Sequence, residues 1–186
     1  MSRLETEVQK ITLKRFEKEG LILDIGGGGE GLVSRIERER VCAVDIRMSE
    51  IREAQIHDAP ANWLVGDGRN LSFKSGSFDI VTLWFSLGYM KDWTTKREVL
   101  EEAKRVLKKQ GIVSIMASKI PGKVNQFVFW ALFTLPDGTQ SQTGYGVSGN
   151  QGQTQERVLD LVDQLDFKVL NLGDHGEWFS ITAARS

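Results

Sequence analysis

Leu21-Ile22-Leu23-Asp24-Ile25-Gly26-Gly27-Gly28-Gly29-Glu30-Gly31-Leu32-Val33 is the stretch on which the fold turns. An apolar run broken only by Asp24 reads as a buried strand, the glycines as a tight turn, and Leu32, Val33 and Ile36 as the inner face of a helix. Gly26, Gly28 and Gly31 fit the spacing G-x-G-x-x-G, in which glycine lets the backbone approach a ligand closely. Asp45 follows Gly26 by 19 residues at the end of the next apolar run, where a carboxylate meets ribose hydroxyls. Taken alone, the glycine motif fits a dinucleotide and S-adenosylmethionine equally well.

Outward from this loop, further apolar runs occupy Val41–Ile46, Trp63–Val65, Ile80–Phe85 and Ile112–Met116. They are apolar at most positions instead of alternating, as expected of parallel strands buried on both faces. Residues 95–109 read as a helix, with Thr95 and Glu98 as a capping box, an apolar stripe from Val99 to Leu107, and a Glu101–Arg105 pair. Alternating strand and helix predict an α/β doubly wound sheet with right-handed crossovers. Thr154 caps a second helix. Phe167–Leu172 and Trp178–Ala183, joined across Gly173–Glu177, form a closing antiparallel pair.

Two segments stand outside this rhythm. Leu4, Val8 and Ile11 lie at helical spacing and predict an amphipathic flanking helix before Gly20, within residues 1–20. Residues 119–153 read as an insertion or lid, helical through the aromatic run Phe127–Phe133 and then loop-like. This insertion is the candidate for acceptor recognition. It is also a candidate homodimer face.

A chain of 186 residues holds one ordinary domain. Net charge -1 gives no electrostatic footprint for a phosphate backbone, so no nucleic-acid partner is indicated. The single cysteine, Cys42, allows no internal disulfide, and no stretch reads as a signal peptide or membrane span. A cytoplasmic location follows as the expectation.

Asp24 separates the two cofactor readings. At the carboxyl end of the first strand its charge would repel a pyrophosphate, whereas the ammonium and sulfonium of S-adenosylmethionine would be attracted. Gly66-Asp67-Gly68 follows the third apolar run, and Phe78-Asp79-Ile80-Val81 and Arg105-Val106-Leu107-Lys108 come after it in order. This ordered set over residues 21–117 resembles class I S-adenosylmethionine-dependent methyltransferases. The resemblance implies a mostly parallel, seven-stranded Rossmann-like sheet with an antiparallel last strand and helices on both faces. It implies S-adenosyl-L-methionine as cofactor and a transferase activity.

Carried over residue by residue, the resemblance places Asp24 near the methionine amino group and Gly26 and Gly28 along the cofactor. Asp45 falls at the ribose hydroxyls with Ile46 beside the adenine, and Asp67 falls at the adenine amino group with Gly68 next to it. Trp84 and Phe85 fall beside the methionine part, or are core aromatics. Trp84-Phe85-Ser86-Leu87 replaces the Asn/Asp-Pro-Pro motif of amino-directed relatives, which tilts the acceptor toward a small molecule. The catalytic side chain is unassigned and no metal site is read. For a hydroxyl acceptor, His57, His175, Asp92 and Tyr89 are the available bases. The alternatives are a noncatalytic cofactor-binding partner or scaffold and, below it, a nicotinamide-dependent oxidoreductase.

Overall fold

The computed structural model describes residues 2–186, so Met1 of the expected flanking helix lies outside the described residues. In chain order the elements are β1 (Arg3–Glu5), β2 (Gln9–Thr12), β3 (Ile22–Ile25), α1 (Leu32–Glu37), β4 (Val41–Asp45), α2 (Met48–Ile56), β5 (Asn62–Val65) and β6 (Phe78–Trp84). They continue with α3 (Trp93–Val106), β7 (Leu107–Ser118), β8 (Gln126–Thr134), β9 (Gln140–Ser148), α4 (Gln155–Gln164), β10 (Phe167–Asp174) and β11 (Trp178–Arg185).

Seven strands form the central sheet in the order β10-β11-β7-β6-β3-β4-β5. β5, β4, β3, β6 and β7 run parallel, and β11 pairs antiparallel with both β7 and β10. The expected doubly wound α/β sheet is therefore present. Its strands send side chains alternately to two faces. Leu23, Ile25, Val81, Leu83, Val113 and Ile115 join α3 and α4 in one core, while Ile22, Val41, Ala43 and Ile80 pack with Val33 of α1 on the other side. On α3, Val99, Leu100 and Val106 are almost wholly buried, each contributing on the order of 2 kcal/mol through lost apolar exposure. Edge strand β5 departs from the expected double burial, because Leu64 and Val65 face outward.

The two irregular segments form a second sheet. β8 and β9 are an antiparallel hairpin turning at Pro136-Asp137-Gly138, and β1 and β2 lie end to end, parallel, along the edge of β8 that β9 leaves free. The flanking helix is thus replaced by two short strands: Ile11 and Leu13, two residues apart, point inward, while Leu4 and Val8 stay exposed. The insertion is likewise not helical. Phe127, Phe129, Ala131 and Phe133 alternate with half-exposed residues and are fully buried, packing with Leu32, Ile36, Phe85 and Met116. Phe127, Phe129 and Phe133 are thus core groups that cover the central sheet, while Val128, Trp130 and Leu132 on the other face of β8 stay half-buried.

Smaller corrections concern α3. Asp92, not Thr95, caps it, accepting from Thr95 N at 2.8 Å. Arg105 pairs with Glu102 at 2.6 Å, one residue from the expected Glu101. The carboxylate at three residues' spacing wins because it also accepts from Leu71 N at 2.8 Å.

Candidate cofactor and acceptor cavity

From β3 the chain moves through β4 to β5 in one direction and then returns to β6 on the other side of β3. This reversal opens a crevice beyond the carboxyl ends of the strands, the place where open α/β sheets bind ligands. A cavity of about 720 Å³ lies there. Asp24, Gly26, Gly28, Asp45, Ile46, Asp67, Gly68 and Trp84 all border it.

Asp24, one residue before the end of β3, is almost completely buried. Its Oδ1 accepts from Thr82 Oγ1 at 2.6 Å. Burial pushes its carboxyl up to about 7; the Thr82 bond opposes this and the nearby Asp45 charge adds to it. Asp45 ends β4, where Oδ2 accepts from Gly28 N at 3.1 Å and Oδ1 from Arg47 N at 2.9 Å. The carboxylate thereby fixes the glycine loop on one side and the start of α2 on the other. A Cβ on Gly28 would lie 2.7 Å from Asp45 Oδ2 and 2.5 Å from Glu50 Cβ, so the loop tolerates no side chain there. Gly26 adopts φ 73° and packs against Ser86, whose Cβ would sit 2.6 Å from an added Cβ.

Asp67 behaves differently from the other two. Both its oxygens are held by the Arg69 side chain, at 2.7 to 3.1 Å, and this hydrogen bonding keeps its carboxyl below the usual range. The loop carrying it, which joins β5 to β6, is fastened from α3. Glu102 accepts from Leu71 N, and Arg105 donates to Leu71 O at 3.0 Å and Phe73 O at 2.8 Å. Lys104 of α3 and Lys108 near the start of β7 are also engaged, with Leu165 O and Asp79.

Trp84 reaches the cavity edge, yet its Nε1 donates to Ser114 Oγ at 3.0 Å and its ring lies 5.7 Å from that of Phe16. The indole thus packs against the protein on one side while it borders the cavity on the other. Phe85 turns the chain with φ 57°, an uncommon conformation for a bulky residue, and enters an aromatic stack with Phe129 and Tyr145, each 5.2 Å away. Tyr89 and Met90 line the same end, Tyr89 beneath the Arg47 guanidinium at 5.5 Å.

Three groups here went unread in the sequence. Tyr145 comes from β9, and burial holds its phenol well above the usual range. Ser86 Oγ is buried beside Gly26 without a hydrogen-bond partner among the described residues. Thr82 is fixed only by its register opposite Asp24. Of the candidate bases, His57 caps the C-terminus of α2, Asp92 is consumed in capping α3, and His175 stacks on Trp178 at 3.9 Å. Of these four candidates, only Tyr89 and Asp92 border the cavity.

The glycine cradle, the buried carboxylates and the orphaned Ser86 hydroxyl fit a ligand that carries positive charge and hydroxyl groups. Fold and site together define an α/β transferase domain of the type that binds S-adenosylmethionine. A family model described as a methyltransferase domain matches residues 23–115, 93 of the 186 residues, and the chain belongs to that family. This sets the nicotinamide alternative aside. A demethylmenaquinone methyltransferase of Thermotoga maritima is 30% identical over 119 residues, covering 57% of this chain and 49% of the relative. A ubiquinone/menaquinone biosynthesis C-methyltransferase of Dinoroseobacter shibae is 33% identical over 112 residues, covering 54% and 43%. The chain thus spans about half the length of these curated relatives. Among solved structures, a methyltransferase of Methanosarcina mazei shares the fold with TM-score 0.67 at 18% identity, over 91% of this chain and 94% of that one. None of the helices among the described residues is long and apolar enough to cross a membrane.

Proposed function

We propose that this chain transfers the methyl group of S-adenosylmethionine to a small, largely apolar and planar acceptor. The observation that carries the reading is one continuous cavity with a chemically mixed lining. Asp24 and Asp45 face it, and so do Phe85, Tyr89, Met90 and Tyr145, whose side we read as the acceptor's. Pockets of this size hold a cofactor-sized ligand.

In this reading Asp24 would hold the cationic amino-acid part of the cofactor and Asp45 its ribose hydroxyls. Ile46, 64% exposed without a ligand, would lie against the base. Asp67 would receive the adenine amino group only by sharing a carboxylate that Arg69 already occupies. Bound in this way, S-adenosylmethionine supplies a methyl group activated by its sulfonium leaving group. The protein then contributes alignment and exclusion of water, which is the role of the aromatic end and of the β8–β9 hairpin. Burial raises the phenols of Tyr89 and Tyr145 above their usual range, so both keep their proton at neutral pH and can donate to an acceptor oxygen.

The test is calorimetric titration with S-adenosylhomocysteine and, separately, NAD, using wild type and Asp45→Ala. Binding of the first alone, weakened at least about tenfold by the substitution, supports the cofactor assignment. The transfer step is tested with radiolabelled S-adenosylmethionine and a panel of planar acceptors. Demethylmenaquinone is its first member, because a relative's name carries it. Cofactor binding without transfer to any panel member would favour a noncatalytic cofactor-binding partner.

A further inference from the structure

Lys96 is a fully buried lysine, and nothing in the methyl-transfer reading uses it. It projects from the first turns of α3 into a pocket of oxygens. Its Nζ donates to Leu87 O and Met90 O, both at 2.7 Å, to Gln153 Oε1 at 2.8 Å and to Gln151 Oε1 at 2.9 Å. The first pair belongs to the turn that follows β6 and carries Tyr89 and Met90 into the cavity. The second pair belongs to the chain leaving the β8–β9 hairpin. The glutamine amides extend the same network, since Gln151 Nε2 donates to Gly88 O and Ser148 O, and Gln153 Nε2 to Ser118 O.

We propose that the Lys96 ammonium is a positioning group that locks the 87–90 turn to the returning hairpin chain and so holds the acceptor end of the cavity in shape. An ammonium brings three N–H donors to four oxygens, whereas a neutral amine has two donors and a lone pair. Leu87 O has a second donor in Met90 N at 3.1 Å, so loss of the proton leaves at least one of the other three oxygens unsatisfied, and the turn and hairpin part. Two charges lie nearby. Asp92, the α3 cap, favours the charged form, and Arg157, whose guanidinium lies over the Trp93 ring at 4.1 Å, opposes it. Burial outweighs both and brings the amine down to about 7, so the lock opens near neutral pH.

This rests on reading that end as the acceptor's, but the coupling is tested without any acceptor. Hydrogen–deuterium exchange, corrected for intrinsic pH dependence, is followed in wild type and Lys96→Met from about pH 6 to pH 9. Wild type should lose protection at 87–90 and 148–153 together, by at least about tenfold, as pH rises through the Lys96 titration. Lys96→Met should show that loss at every pH, while its S-adenosylhomocysteine affinity stays within about threefold of wild type. Gln153→Glu, which sets a carboxylate beside the amine, should move the midpoint upward, and it serves if Lys96→Met fails to fold. A uniform loss of protection across the chain, or a midpoint unmoved in Gln153→Glu, overturns the proposal. If these results hold and no methyl acceptor is found, the lock stands and the functional reading falls.

Discussion

Thr82 stands directly opposite Asp24 in the register of β6 against β3, and its hydroxyl donates to Asp24 Oδ1 at 2.6 Å. The bond is the one side-chain contact supporting the charged form of a carboxylate that burial and Asp45 both push toward neutrality. Whether Asp24 is charged at neutral pH thus depends on a residue outside the cavity lining.

The substitution Thr82→Val keeps the shape of this fully buried side chain and removes the donor. Asp24 should then ionise at higher pH. Affinity for S-adenosylhomocysteine at neutral pH should fall about fivefold, roughly 1 kcal/mol, and recover by about pH 9. Calorimetric titration at both pH values checks this; a loss of equal size at each would show that Thr82 acts through packing instead of charge.

Asp24→Asn separates stability from binding. The folded carboxyl titrates at about 7 against 3.8 for the unfolded chain. Protonation therefore stabilises the wild-type fold fully below the unfolded value, and this contribution is lost as pH rises through about 7. Asparagine cannot ionise. The variant should come close to wild type near pH 4 and exceed it by on the order of 4 kcal/mol near pH 8, while losing cofactor affinity. Urea denaturation across this range checks the sign, and a wild type that gains stability with rising pH relative to the variant would contradict it.

Phe129→Ala and Trp130→Ala, adjacent on β8, should differ sharply. Phe129 is fully buried against Phe85, so truncation should cost about 3–5 kcal/mol. Trp130 is half-buried, its indole donating to the exposed Glu5, and should cost only about 1 kcal/mol. Equal, small costs in denaturation would mean that the hairpin is a detachable lid and not part of the core.

The central sheet was legible because its signal is local. The run at 21–25, the glycines and Asp45 lie within one strand–helix–strand unit, and the register brings Asp24 and Asp45 to adjacent strand ends. The second sheet was not read because its partners are distant. β1 and β2 pair with β8, more than 120 residues away, and three apolar residues at helical spacing then outweighed the alternation of Ile11 with Leu13. Phe127, Phe129, Ala131 and Phe133 did carry a two-residue period, which is a strand signal. It was masked by the apolar residues between them, Val128, Trp130 and Leu132. Lys96 gave no signal at all, since a lysine in the first turns of an amphipathic helix reads as solvated.

The pair Glu102 and Arg105 offers the most selective perturbation of the site, because it acts on one loop only. Arg105 ties Leu71 and Phe73 to α3, and that loop begins at Asp67-Gly68. Arg105→Met preserves the aliphatic stem while releasing two carbonyls and leaving Glu102 half-satisfied. Cofactor affinity should fall about tenfold through a looser Asp67 loop, with faster amide exchange confined to residues 66–77. Protection at 87–90 and 148–153 should stay as in wild type, because the Lys96 network shares no residue with this clamp. Loss of protection in both regions would mean that the two ends of the cavity open as one unit, and the assignment of separate supports to cofactor and acceptor would then be wrong.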